Sequence, residues 1–131
     1  MKGRLEGYMK AIDKVGMDLL VKKINPSLTD DDIGQQLQSF IADNKLDAVL
    51  FATNYLAVDG LKAIKKYQIA INNLVSFDEN TAFALVEPPV SAISQNIKEI
   101  ASEVVRILLS QINGKSTQIE QVVIPCDLIE R

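Results

Sequence analysis

The chain has 131 residues, 47% of them apolar and 24% charged, with a net charge of −3. That is one domain's length, with enough apolar material to bury roughly 65–70% of its unfolded surface, which speaks against disorder. The acidic balance speaks against nucleic-acid binding by this chain itself, because phosphate contacts need clustered Lys and Arg and the pairs Lys22–Lys23 and Lys65–Lys66 are too short to make a patch.

The catalytic inventory is thin. There is no histidine, so a Ser–His or Cys–His pair cannot form within the chain. One cysteine, Cys126, allows no intrachain disulfide and, without histidine, no zinc site. That fits a reducing cytoplasm. No apolar run approaches the ~20 residues of a membrane span, and Met1–Lys2–Gly3–Arg4 does not open a signal peptide. No GxGxxG or P-loop is present to cradle a nucleotide. The expectation is a non-enzyme with no cofactor and no metal.

In chain order, Leu5, Tyr8, Met9, Ile12 and Val15 recur at helical spacing, so residues 3–15 read as an amphipathic helix stopped by Gly16. Asp18–Ile24 (DLLVKKI) reads as a strand, broken by Asn25–Pro26–Ser27. Thr29 then looks like a helix N-cap, with Asp32 three residues on in capping-box position. The acidic triplet Asp30–Asp31–Asp32 reads first as a helix start complementing the dipole, and only secondarily as a metal or partner site. Ile33, Leu37, Phe40 and Ile41 mark that helix's buried stripe, and it ends near Asn44.

Asp47–Thr53 (DAVLFAT) is continuously apolar from Ala48, which suits a parallel strand buried on both faces. A helix over residues 55–67, a strand Asn72–Phe77, a loop over 79–87 with room for one helical turn, and a short strand Val90–Ile93 after Pro88–Pro89 follow. The longest helix, 95–113, carries Ile97, Ile100, Ala101, Val104, Leu108 and Ile112 as its buried face, made broad by Val105, Ile107 and Leu109, and stops at Gly114. The chain closes with a predicted strand, Ile119–Ile129. The alternation predicts an α/β fold, three-layer αβα, with a mostly parallel sheet. Ligands of such sheets gather at the carboxyl ends of strands, where Asn54 and Asp78 stand.

Five strings, in order, resemble regulators of the lactose-repressor (LacI/GalR) family. Arg4–Tyr8 (RLEGY) resembles their R-x-x-G-aromatic start. Phe51–Ile64 (FATNYLAVDGLKAI) resembles their F-A-T-N-D-x-x-A-x-G signature, and Leu74–Asn80 (LVSFDEN) their V-x-G-F-D-D strand end. Glu87–Ala101 (EPPVSAISQNIKEIA) resembles their P-P-L-T-T-V-x-Q crossover, and IPCDLIER, ending at Arg131, their closing L-P-x-x-L-I-x-R. Together they span the chain.

The resemblance implies an incomplete fragment of a periplasmic-binding-protein-like (type I) effector domain. Residues 1–88 would belong to a C-terminal lobe, about 89–117 would be the crossover and a helix packing on an N-terminal lobe, and about 118–131 the return strand. The DNA-binding head and most of the N-terminal lobe would lie outside this chain. A lone fragment should expose apolar surface on helix 95–113. The implied partners are a small carbohydrate-like effector, operator DNA through the missing head only, and a second copy in a homodimer. No membrane is involved, and the location is the cytoplasm. A periplasmic sugar-binding protein of a transport system is the alternative.

The resemblance also implies site residues. Arg4 matches an arginine that contacts ligand hydroxyls, its planar fork suiting paired oxygens; the plain alternative is an arginine held by a nearby carboxylate. Asp78 matches an aspartate that can accept from two adjacent hydroxyls; the alternative is a turn cap. Asn54 matches the family's ligand asparagine if the alignment shifts by one, and Thr53 takes that place if it does not. Tyr55 stands where aspartate is usual and would make an aromatic wall. Phe77 fits core better than ligand platform, and Gln95 sits in the crossover within reach of the cleft. No catalytic or metal-ligating residue is expected.

Overall fold

The computed structural model describes residues 2–25, 27–114 and 119–131. Its elements are α1 (Lys2–Val15), α2 (Asp30–Asn44), β1 (Ala48–Phe51), α3 (Asn54–Tyr67), β2 (Asn73–Phe77), a 3-10 turn (Thr81–Ala84), β3 (Val90–Gln95), α4 (Ile97–Ile112) and β4 (Cys126–Ile129). The sheet runs β1-β2-β3-β4. The pairs β1–β2 and β2–β3 are parallel and β3–β4 is antiparallel, so the sheet is α/β and mostly parallel as expected.

Local chemistry sets the helix ends. Thr29 accepts from the Asp32 amide while the Asp32 carboxylate accepts from the Thr29 amide, which completes the predicted capping box. The other two acids of the triplet reach across to α3: Asp30 pairs with Lys62, and Asp31 with Lys66. Donation to Asp59 and to Asp30 holds Lys62 above its ordinary pKa, and donation to Asp31 does the same for Lys66. Their charged forms are favoured, so any stability they lend is lost only in strongly alkaline solution. Gly16 (φ 68°) and Gly114 (φ 65°) take the left-handed conformation that closes α1 and α4.

The core lies on one face of the sheet. Leu37 and Ile41 of α2 and Ala57, Ala63 and Ile64 of α3 pack there on Phe51, Leu74, Val90 and Ala92, with Phe83 beneath them. Gly60 lets α3 come close: a Cβ there would stand 2.4 Å from the Phe51 ring. Alternation along β2 turns Phe77 to the opposite face from Leu74 and Ser76. Arg4 of α1 covers Phe77 from that side, so α1 begins the third layer.

Three expectations need correction. Residues 18–24 form no strand. They pair with no strand among the described residues, and of their apolar side chains Leu20 and Ile24 are half-buried while Leu19 and Val21 face solvent. β1 is not buried on both faces, because Leu50 is 45% exposed opposite buried Phe51. The stripe of α4 is likewise not buried: Ile97, Ile100, Ala101, Val104, Leu108 and Ile112 are all exposed. That agrees with the uncovered apolar face expected of an incomplete lobe. Boundaries also move: β3 runs on to Gln95, and β4 begins only at Cys126, with 119–125 outside any strand. Pro26 of the predicted break, and residues 115–118 within the predicted crossover and return, lie outside the described residues.

An apolar face this open predicts binding of a dye that fluoresces on hydrophobic surface. The pair Val104→Lys and Leu108→Lys should lower that fluorescence several-fold without lowering helix content by circular dichroism. Undiminished fluorescence would locate the exposed apolar surface elsewhere.

Candidate functional site

The parallel register sets Phe51 beside Ser76 and Ser76 beside Ala92, so the carboxyl ends of β1, β2 and β3 are level. Asp78 leaves β2 with φ 73°, a left-handed conformation that aspartate tolerates better than most residues. Its amide donates to Ile93 O at 3.0 Å. The hydroxyl of fully buried Ser76 donates to Phe77 O at 3.1 Å and Asp78 O at 3.3 Å, which satisfies that polar group and braces the turn.

Arg4, in the first turn of α1, meets this turn. Its Nη1 donates to Asp78 Oδ2 at 2.9 Å and to the Ala52 carbonyl beyond β1 at 2.6 Å; its Nη2 donates to Asp78 Oδ1 at 3.1 Å. The guanidinium lies 3.9 Å from the centre of the Phe77 ring, within cation–π range. Gln95, at the end of β3, donates its amide to the same Oδ1. The Arg4 and Asp78 side chains are 25% and 26% exposed, sheltered yet reachable.

Four sequence-predicted residues are therefore brought together: Arg4, Phe77, Asp78 and Gln95. The remaining three are not joined to them by any hydrogen bond among the described residues. Thr53 caps α3, its hydroxyl accepting from Leu56 N at 3.3 Å. Asn54 opens α3 half-buried, with no side-chain hydrogen bond among the described residues. Tyr55 is 80% exposed and forms no wall within this chain. The plain reading of Arg4, a helix-borne arginine held by a carboxylate, is realised in the geometry.

Sequence reasoning missed the Ala52 carbonyl and Ser76. A backbone acceptor has no sequence signal, and the only hint of Ser76 is a hydroxyl within an apolar strand. It also left out Glu79, which pairs with Arg131.

The open valences say what the cluster can hold. A carboxylate has about four acceptor sites and a guanidinium five donors. Asp78 accepts from three donors, and Arg4 spends three of its hydrogens, among the described residues. One acceptor site, on Asp78 Oδ2, and two donors, on Arg4 Nε and Nη2, remain, a set matched to hydroxyls, which both give and accept.

The periplasmic binding protein-like domain family matches residues 1–131. The chain is 23% identical over 134 residues to the HTH-type transcriptional regulator DegA of Bacillus subtilis (strain 168), covering 99% of this chain and 40% of DegA. The transcriptional regulator CelR in its cellobiose complex has the same fold, with TM-score 0.80 and 24% identity over 98% of this chain and 41% of CelR. So does the Lac repressor bound to ONPG in the repressed state, with TM-score 0.77 and 20% identity over 99% of this chain and 40% of the repressor. The chain thus spans about two fifths of the length of these proteins.

Replacing Arg4 with Met keeps bulk but leaves Asp78 without its cation. We expect a loss of about 1.5–3 kcal/mol in unfolding free energy, the range for hydrogen bonds to charged groups. Faster hydrogen exchange over residues 2–15 should accompany it. Unchanged stability and exchange would show that α1 is held by something else.

Proposed function

The chain belongs to the periplasmic binding protein-like domain family, in the form carried by LacI/GalR regulators, and on that premise we propose that it is the larger part of the effector-sensing lobe of a bacterial transcription regulator. The effector is a small hydroxylated molecule, sugar-like in its pattern of hydroxyls. Asp78 and Arg4 grip neighbouring hydroxyls, and Gln95 orients the carboxylate. Phe77 supports the guanidinium from below. Asn54, Thr53 and Tyr55 line the rim at the start of α3. The observation that carries this reading is the Arg4–Asp78–Gln95 cluster at the carboxyl ends of the parallel strands, with an acceptor and two donors open.

The cluster sits on one wall, and a second lobe closes over it. Residues 1–88 form the sensing lobe, about 89–117 cross to the second lobe, where α4 lays its apolar face, and about 118–131 return. The dye signal of this chain should accordingly vanish in the full-length gene product. Operator DNA is read by a head outside this chain, the intact protein is a homodimer, and it works in the cytoplasm. The effector acts by population shift: it binds one lobe arrangement better than the other, and operator affinity follows. No bond is made or broken, in keeping with a chain that lacks histidine. CelR was solved with cellobiose and is a regulator, as is DegA, which favours a sugar-responsive regulator over a transport protein.

The test is a thermal-shift screen of the full-length gene product against sugars, sugar phosphates and purines, with Asp78→Asn as control. Asparagine tolerates the left-handed backbone as aspartate does, so the control removes charge without straining the turn. A true effector at a hundred times its Kd stabilises by about 2.7 kcal/mol. The control should weaken binding about 10- to 100-fold. A shift that survives in Asp78→Asn rejects the site, and no shift with any class rejects the sugar-type effector.

A further inference from the structure

Two cations address two neighbouring carboxylates at the end of β2. Arg4 takes Asp78, and Arg131 takes Glu79. Arg131 Nη2 donates to Glu79 Oε1 at 2.7 Å and Nη1 to Oε2 at 3.2 Å. The same Nη1 donates to Val90 O at 2.8 Å, and the Arg131 amide donates to Ser91 Oγ at 3.0 Å. With side chains 17% and 25% exposed, this is the most sheltered ion pair among the described residues. A bidentate arginine pair fixes direction as well as distance.

Its place in the fold gives it a task. Glu79 follows Asp78, whose left-handed backbone persists only where neighbours over-determine it. Two restraints hold Asp78 itself, its amide on Ile93 O and the Ser76 hydroxyl on its carbonyl. Arg131 holds the next residue from just past β4, while itself tied to the start of β3.

We propose that Arg131 is a positioning residue for the candidate site. By tying Glu79 to the start of β3, it braces the turn at Asp78 and keeps the Asp78 carboxylate aimed at Arg4. The consequence for effector affinity rests on the function proposed above; the consequence for the geometry of Asp78 does not.

The experiment is nuclear magnetic resonance on this chain with no sugar present, comparing Arg131→Gln, the isosteric Glu79→Gln and the double variant. Two probes report on the site: hydrogen exchange at the Asp78 amide, and rotation of the Arg4 guanidinium, which a bidentate partner slows. Arg131→Gln should speed Asp78 exchange at least about tenfold and free the Arg4 rotation, with Leu74 in the core changing less than about twofold. Glu79→Gln should move both probes the same way, and the double variant should differ from either single one by less than about twofold, because both remove the same tie. The proposal is overturned if Arg131→Gln frays only the β3–β4 ladder while Asp78 and Arg4 stay as they were. It is equally overturned if core and site amides accelerate together in both single variants, since Arg131 and Glu79 would then serve general stability. Because no ligand enters, a failed sugar screen leaves this result standing, and failure here leaves the screen interpretable.

Discussion

The pair between Arg4 and Asp78 joins parts of the molecule that little else connects. No residue of α1 is buried, so apolar packing fixes its position only weakly. The guanidinium fixes it instead, by reaching the Ala52 carbonyl beyond β1 and the carboxylate beyond β2 together. The same contact ties the amphipathic helix at the start of the chain to a turn more than seventy residues later. A surface pair of this kind contributes little when fully solvated. Here both side chains are about three-quarters covered and the geometry is bidentate, which places it among the stronger charge-assisted contacts. It remains open enough for a ligand to reach, so one interaction anchors a helix and presents a polar surface.

Burial is uneven, and the unevenness has meaning. α2 and α3 close one face of the sheet tightly, to the point that Gly60 has no room for a methyl group beside Phe51. The other face has only α1, and Leu50 and Leu128 stand exposed. α4 shows solvent a row of Ile, Val and Leu that would be costly on a finished surface. A tight half and an open half suit a lobe whose partner lies outside this chain, which spans about 40% of the regulator DegA. The residues proposed to grip the effector lie at the ends of the strands, where a second lobe would close over them.

What the sequence made legible was whatever local chemistry decides. The capping box at Thr29 and Asp32, the stops at Gly16 and Gly114 and the strand–helix alternation each follow from a few neighbouring residues. The carboxylate at the end of β2 was legible for a related reason, because topology puts ligand chemistry at strand ends. Legibility stopped where the outcome depended on distant partners. Residues 18–24 carry the short apolar run of a strand but have no strand paired beside them among the described residues. The apolar runs of β1 and α4 mark surfaces meant for burial, and cannot say whether the covering element is present. At the site, the resemblance offers Thr53 only as a ligand contact, and the fold employs its hydroxyl as the cap of α3. The Ala52 carbonyl and the Glu79–Arg131 pair are products of tertiary contact, and no spacing rule finds them.

The most direct measurement is a crystal structure of the full-length gene product with whichever sugar most raises its melting temperature. The account predicts adjacent ligand hydroxyls within about 3.2 Å of the Asp78 carboxylate and of the open Arg4 nitrogens, with Arg4 still paired to Asp78 and a second lobe over the ligand. A sugar bound elsewhere, with the Arg4–Asp78 pair closed and dry, would contradict it and leave the pair as an anchor for α1 alone.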